Sequence, residues 1–243
     1  MTDQAFINLS SVNKVFRIAA EEFPALRDIS IGFYQHEFTA VVGRSGSGKS
    51  TLMNMITGID KPTSGKVIIN HTEIHTLSET QMALWRGENL GIVFQFYQLI
   101  PVLSLLENVK LPMQIAGKFT LAQQEDRAYE LLEMVNLKKY AHKRPYAVSG
   151  GQQQKTAIAR ALANDPPILI ADEPTGNLGS AEADQVFRIF QSLSEQGKTI
   201  IMVTHDNELA NRAQRVLKLV DGQLVGEKTT SESLFHRLRK KFQ

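Results

Sequence analysis

Cysteine is missing from all 243 residues of the chain. That excludes disulfide scaffolding, thiolate nucleophiles, iron–sulfur clusters and cysteine-ligated zinc, and it accords with a reducing compartment. Long apolar runs are missing too. The most apolar stretches, ILIA and TIIMVT, are of buried-strand length, far short of the ~20 residues that cross a bilayer. The opening MTDQAFINLSSVNK lacks the basic flank and apolar core of a secretory leader, so none is expected. An excess of either charge is lacking: the formal net charge of +2 gives no reason to expect nucleic acid as a partner. There is no internal repeat and no low-complexity tract. What remains, 42% hydrophobic and 21% charged residues, suits one large domain, or a domain with a subdomain, around a substantial core. If such a chain serves a membrane process, its membrane segments belong to a partner.

The residues that are present alternate between two periodicities. INLSSVNKVF, LRDISIGF and EFTAVV read as strands, and LMNMITGI after them has helical character. KPTSGKVIIN reads as a turn into a strand, SETQMALWRG as a short polar helix, and LGIVF as a buried strand ending at Gln95. From about Leu105 to Leu137 the pattern is helical, in LLENVKLPMQIA and LAQQEDRAYELLEMVNL, with Pro112 expected to break or kink the first. PILIADE, KTIIMVTHD and RVLKLVDGQLV bring the strand signal back, with helices between. A β-rich start, a helical middle and a βα remainder predict an α/β core with a helical insertion. The final TTSESLFHRLRKKFQ reads as a basic amphipathic helix with Leu234, Phe235, Leu238 and Phe242 on one face. It suits docking on its own domain first, and anionic lipid or a membrane partner second.

Three segments carry chemistry. GRSGSGKST, Gly43 to Thr51, follows the apolar run FTAVV and fits G-x-x-x-x-G-K-[ST] without a mismatch. Gly43, Gly46 and Gly48, with Arg44, Ser45 and Ser47 between them, let the backbone turn its N–H groups onto phosphate oxygens. The helix that follows adds its positive end. Lys49 supplies a point charge for β- and γ-phosphates, and the Ser50 hydroxyl can ligate Mg²⁺. This predicts a nucleoside triphosphate site. In ILIADE, an apolar strand ends at Asp172, the natural Mg²⁺ partner, and Glu173 is placed to polarise an attacking water. In VSGGQQQKTAIARAL, Ser149, Gly150 and Gly151 open a helix with an apolar stripe at Ala157, Ile158, Ala161 and Leu162. Its N-terminus is either a second anion site or an ordinary serine N-cap beside glycine. Two phosphate sites on one chain raise the possibility that two chains share each nucleotide. HTEIH, His71 to His75, has its glutamate in the wrong place for the H-E-x-x-H zinc motif and is read as a solvated turn.

SGGQ between a GRSGSGKST loop and an ILIADEP strand resembles the ATP-binding-cassette ATPases. Gln95 after an apolar strand, TGNL after the carboxylates and His205 in MVTHD match as well, and the resemblance runs from about Phe6 to Gly226. It implies a P-loop NTPase core, a mainly parallel sheet flanked by helices, with an N-terminal antiparallel β subdomain and a helical subdomain. It also implies a single ATPase domain over 1–228, the helical subdomain at about 96–163 within it, and a C-terminal helix or tail over 229–243. The implied cofactors are ATP and Mg²⁺, with no other metal. In this family two copies face head to tail, with each ATP between one subunit's glycine loop and the other's SGGQ helix. On that basis Ser149, Gly150, Gly151, Gln152 and Gln153 would bind the partner's γ-phosphate. Gln95 would contact Mg²⁺ and the attacking water near the membrane partner, and His205 would hydrogen-bond the γ-phosphate. Phe16 stands where the family places an aromatic ring against adenine; the alternative for it is an ordinary core phenylalanine.

Within the family, GIVFQFYQLIPVLSLLENVKLPMQIAG and KRPYAVSGGQQQKTAIARALANDPPILIADEPTGNL look most like one subgroup. It energises lipoprotein release, macrolide and peptide export, antimicrobial-peptide resistance and cell-division signalling. The implied role is an ATPase driving a transmembrane permease, peripheral on the cytoplasmic face of the inner membrane, with either transport or signalling as output. Against a soluble cassette of DNA repair or translation, the chain shows no coiled-coil or zinc insertion and only one glycine loop. Against a module that senses ATP without hydrolysing it stand Glu173, Gln95 and His205. Three positions depart from the family pattern. Val148 replaces leucine, and Lys155 replaces arginine and loses its planar fork. Gly179 replaces an aspartate that helps couple the two sites, so dimerisation is expected to survive with looser coupling of hydrolysis. A Gly179→Asp variant with unchanged rate and cooperativity would count against that expectation.

Overall fold

The computed structural model describes residues 5–18 and 21–229, and the C-terminal basic segment lies outside the described residues. In chain order the elements are β1 (Ile7–Ile18), β2 (Glu21–Phe33), β3 (Phe38–Val42), α1 (Lys49–Thr57), β4 (Ser64–Ile69) and β5 (Thr72–Glu73). There follow α2 (Glu79–Asn89), β6 (Leu90–Val93), α3 (Leu105–Ala116), α4 (Leu121–Met134) and α5 (Gly150–Ala161). The remainder is β7 (Ile168–Asp172), α6 (Ser180–Glu195), β8 (Thr199–Thr204), α7 (Asn207–Ala210), β9 (Arg215–Val220) and β10 (Gln223–Thr229).

Two sheets form. The first is antiparallel in the order β2-β1-β4-β5, and the second has the order β10-β9-β3-β8-β7-β6. Within the second, β6, β7, β8, β3 and β9 run parallel and only β10 is antiparallel. The continuous apolar runs FTAVV and TIIMVT are buried on both faces, as parallel strands require. Phe38, Ala40 and Val42 face the helical layer with Phe187, Phe190 and Leu132. Val41 faces the other way, into a second core with Phe33, Leu52 and Ile69. The predicted α/β core with a β-rich start is therefore present. The helical middle, α3 to α5, is inserted between β6 and β7, and its helices pack on one another.

Three local expectations need correction. Of the break or kink expected at Pro112, the break does not occur, because α3 continues through it to Ala116. An interior proline costs about 3 kcal/mol, whereas Leu105, Leu106, Val109 and Met113 on the same helix are all buried, each contributing roughly 1.5–3 kcal/mol. Packing outweighs the lost backbone bond, and a Ser104–Glu107 capping box fixes the start. RVLKLVDGQLV is two strands rather than one. Asp221 and Gly222 both take positive φ, 47° and 76°, and form the two-residue turn of a tight hairpin. The strand expected from Leu26 starts earlier, at Glu21, because Arg17, Phe16 and Val15 of β1 pair with Glu22, Phe23 and Pro24.

Candidate nucleotide site

Parallel strands β3, β8, β7 and β6 are neighbours in that order, so their carboxyl ends lie along one edge of the sheet. β3 delivers the glycine loop there, β8 delivers His205, β7 delivers Asp172 and Glu173, and β6 leads to Gln95. Four segments far apart in sequence thus meet because their strands are adjacent and point the same way.

Backbone geometry decides the loop. Gly46 and Gly48 take φ of 79° and 99°, a region that side chains disfavour. A Cβ at Gly48 would also lie 2.5 Å from the Ala25 carbonyl. Gly43 is held by crowding, since a Cβ there would overlap the Ser47 hydroxyl and the Leu219 carbonyl. Lys49 is buried, and its Nζ donates to the carbonyls of Gly43 at 2.9 Å and Arg44 at 3.1 Å. The Ser47 hydroxyl is buried without a hydrogen-bond partner, an orphaned polar atom of the kind a phosphate oxygen would satisfy. Arg44, Ser45, Gly46 and Ser50 are exposed, and Thr51 is half-buried in the first turn of α1.

The acidic pair splits at its backbone. Asp172 ends β7, but Glu173 takes φ of 48°, an uncommon conformation for a residue with a side chain. Its N–H donates to the Val203 carbonyl at 2.8 Å. This turn sends the two carboxylates different ways. Asp172 Oδ1 accepts from the Ser50 hydroxyl at 3.5 Å. Glu173 lies 3.9 Å from Lys49 Nζ and 2.8 Å from His205 Nδ1, and it is only 13% exposed. Burial pushes the Asp172 carboxyl above the usual carboxylate range and the neighbouring Glu173 adds to this, while Ser50 and Lys49 oppose it. A Mg²⁺ ion at this place would relieve that raised carboxyl, and hydroxyl, carboxylate and amide oxygens are the hard donors it takes. The residues fit the ion.

Gln95 is half-buried and lies beside this turn, its Nε2 being 3.3 Å from where a Cβ on Gly176 would stand. Its carbonyl accepts from Asn177 Nδ2 at 3.3 Å. Ser149 caps α5 in a capping box with Gln152. The side chains of Ser149, Gln152 and Gln153 bond to Glu182, to Val148 and to each other, and none reaches the glycine loop. Phe16 is 39% exposed with Lys14 Nζ 5.0 Å from its ring centroid, so the alternative of a core phenylalanine falls away. HTEIH is only in part the solvated turn expected, since the turn is confined to Asn70 and His71 while Thr72–Glu73 forms β5 and Ile74 is buried. Asn70 and His71 have positive φ, His75 bonds to the Val67 backbone, and no cluster able to hold a metal occurs among the described residues.

Sequence reasoning missed the residues that hold the site in place. Arg160 on α5 donates to the carbonyls of Tyr97 and Gln98, and Gln154 Nε2 reaches the Phe94 carbonyl at 3.5 Å. Together with Asn177 they pin the segment around Gln95. None has a motif-level signal, because each acts through backbone carbonyls 60 or more residues away.

A family model described as ABC transporter matches residues 26–176. The lipoprotein-releasing system ATP-binding protein LolD of Aquifex aeolicus is 44% identical over 223 residues, covering 92% of this chain and 97% of that protein. The macrolide export ATP-binding/permease protein MacB of Syntrophobacter fumaroxidans is 43% identical over 91% of this chain, which spans 31% of that longer protein. Among solved structures, the dimeric post-hydrolysis state of the cassette MJ0796 bound to ADP and Pi superposes with a TM-score of 0.86 at 39% identity, covering 92% of this chain and 98% of that one. MJ0796 itself comes from Methanocaldococcus jannaschii.

Proposed function

The chain belongs to the ABC transporter family, and from that premise we propose how its site binds and hydrolyses ATP and what the hydrolysis drives. Gly43, Arg44, Ser45, Gly46, Ser47, Gly48, Lys49, Ser50 and Thr51 hold the triphosphate, and Phe16 lies against the base. Ser50, Asp172 and Gln95 would hold Mg²⁺, which when bound would neutralise developing charge on the phosphates. Glu173 takes the proton of the attacking water. His205 holds the Glu173 carboxylate through Nδ1 and offers its exposed outer edge to the γ-phosphate. Ser149, Gly150, Gly151, Gln152 and Gln153 complete the site of a second copy in a head-to-tail dimer. The domain runs over 1–228, with the helical subdomain at about 96–163.

The observation that carries this reading is the Glu173 carboxylate, sheltered at 13% exposure between Lys49 at 3.9 Å and His205 at 2.8 Å. A sheltered carboxylate at the lip of a phosphate loop is placed for general-base work. The Glu173→Gln variant should keep ATP binding, lose at least about a hundredfold in turnover, and accumulate as an ATP-bound dimer on size exclusion. Turnover at the wild-type rate would remove Glu173 from the role.

The driven machine is a transmembrane permease. This reading puts the chain on the cytoplasmic face of the inner membrane, held there by its permease; no helix among the described residues is long and apolar enough to cross a membrane. The names of LolD and MacB favour lipoprotein release or macrolide export, and the reading adds peptide export and a force-transmitting permease. Cell-division or antimicrobial-peptide-resistance signalling is the second reading of the same cassette.

A further inference from the structure

Glu182 lies in the first turn of α6, and nothing in the hydrolytic scheme uses it. The carboxylate turns away from its own helix end to the N-terminus of α5. Ser149 Oγ donates to Glu182 Oε1 at 3.2 Å. A Cβ on Gly151 would lie 2.6 Å from Oε1 and 3.1 Å from Oε2, so the carboxylate sits against the Gly151 α-carbon. Glycine there makes room for Glu182 as well as for any ligand. Beside it, a Cβ on Gly150 would meet the Tyr97 hydroxyl at 2.7 Å. Burial, and after it the Glu182 charge, raise the Tyr97 phenol above its ordinary value. Among the described residues Glu182 forms no ion pair. Its charge is therefore met by the Ser149 hydroxyl and the positive end of α5 rather than by a cationic side chain.

We propose that Glu182 is an affinity-setting residue of the shared site, a same-chain carboxylate that competes with the partner's ATP for Ser149 and the α5 N-terminus. This rests on the reading of Ser149–Gln153 as the half-site for the partner's γ-phosphate. A serine hydroxyl has one proton to donate, and in the single chain Ser149 gives it to Glu182. For the partner's γ-phosphate to take that bond, the carboxylate must release it. The triphosphate then also meets a like charge across a few ångströms, which is repulsive at any protein dielectric. The effect falls on the closing of the dimer and leaves nucleotide binding to the glycine loop untouched. Gly179 frames this arrangement: its position caps α6 without a side-chain bond, so the nearest acidic side chain of that turn is Glu182.

The test compares Glu173→Gln with Glu173→Gln/Glu182→Gln and Glu173→Gln/Glu182→Ser, measuring the Mg-ATP concentration for half-maximal dimerisation by light scattering. Removal of the carboxylate should lower that concentration roughly tenfold, equivalent to about 1.4 kcal/mol. A Ser149→Ala chain, which the half-site reading expects not to close, supplies the monomer control: adding Glu182→Gln to it should leave its affinity for a fluorescent ATP analogue unchanged. Unchanged or weakened dimerisation in both Glu182 variants, with thermal midpoints matching the parent, overturns the proposal, and weakening would show that Glu182 orients Ser149 instead. If Ser149→Ala itself dimerises normally, the half-site reading falls with it. If Ser149→Ala fails to dimerise while the Glu182 variants behave as the parent, the competition alone is wrong.

Discussion

At the scale of single residues, the site combines groups whose environments oppose their charge with groups that restore it. Asp172 is the clearest case. Its carboxyl is raised by burial, so the folded chain keeps that proton to a higher pH than the unfolded chain does. The native state is then penalised as pH climbs through that interval, and the penalty is constant above it. Asp172→Asn should remove this decline, so the nucleotide-free variant gains on the parent as pH rises above the ordinary carboxylate range, while Mg²⁺-dependent ATPase activity is lost. Thermal midpoints across a pH series, read beside turnover, check both halves. Glu173 shows the other strategy, a conformation with φ of 48° that turns its carboxylate onto His205 and Lys49. No motif announces that turn. Gly179 has open space around the position of a Cβ and an extended backbone, so the structure would accept the aspartate of the family pattern without strain.

At the scale of elements, the β9–β10 hairpin does more than close the sheet. Gly222 in its turn donates its N–H to the Ser47 carbonyl at 3.0 Å and accepts from Arg27 N at 2.8 Å. It thereby ties the phosphate loop to β2. A Cβ there would lie 2.7 Å from the Ala25 carbonyl, and φ is 76°. Gly222→Ala should cost roughly 1–3 kcal/mol in urea unfolding and weaken ATP binding together, because the strain lands next to Ser47. Unaltered ATP affinity would show that the hairpin closes the sheet without supporting the loop. The Asp221-Gly222 pair is a turn signal, yet the alternating apolar residues of RVLKLV and QLV flank it, so the sequence reads as one continuous strand. Pro112 carries the opposite lesson. The breaker was legible, and its consequence was decided by the buried face of α3.

At the scale of the molecule, the two sheets are joined by a buried charge. Arg215 of β9 is 5% exposed, lies 2.8 Å from Glu227 and 3.5 Å from the equally buried Glu37, and donates to the Gly32 carbonyl of β2 at 2.6 Å. Such a group is costly to bury and costlier to break, because its partner is then stranded. Arg215→Met should lose about 3–5 kcal/mol in urea unfolding. Adding Glu37→Gln should recover part of that loss, and a double variant no better than the single one would put the effect down to packing.

Local pattern carried the chemistry. GRSGSGKST fits a phosphate-binding pattern by spacing alone, Asp172 and Glu173 gain their reading from following it, and the SGGQ segment takes its role from the family resemblance. The α/β class was equally legible, because buried parallel strands leave uninterrupted apolar runs. Whatever depends on contact at a distance was settled by the three-dimensional fold. It set the strand order that brings Gln95 and His205 beside Glu173, the helix that carries Arg160 to the carbonyls of Tyr97 and Gln98, and the turn that lays Glu182 against Ser149. The physical reason is that these interactions run through backbone groups, which every residue carries, or through a side chain reaching another element. Neither leaves a periodicity or a motif in the sequence.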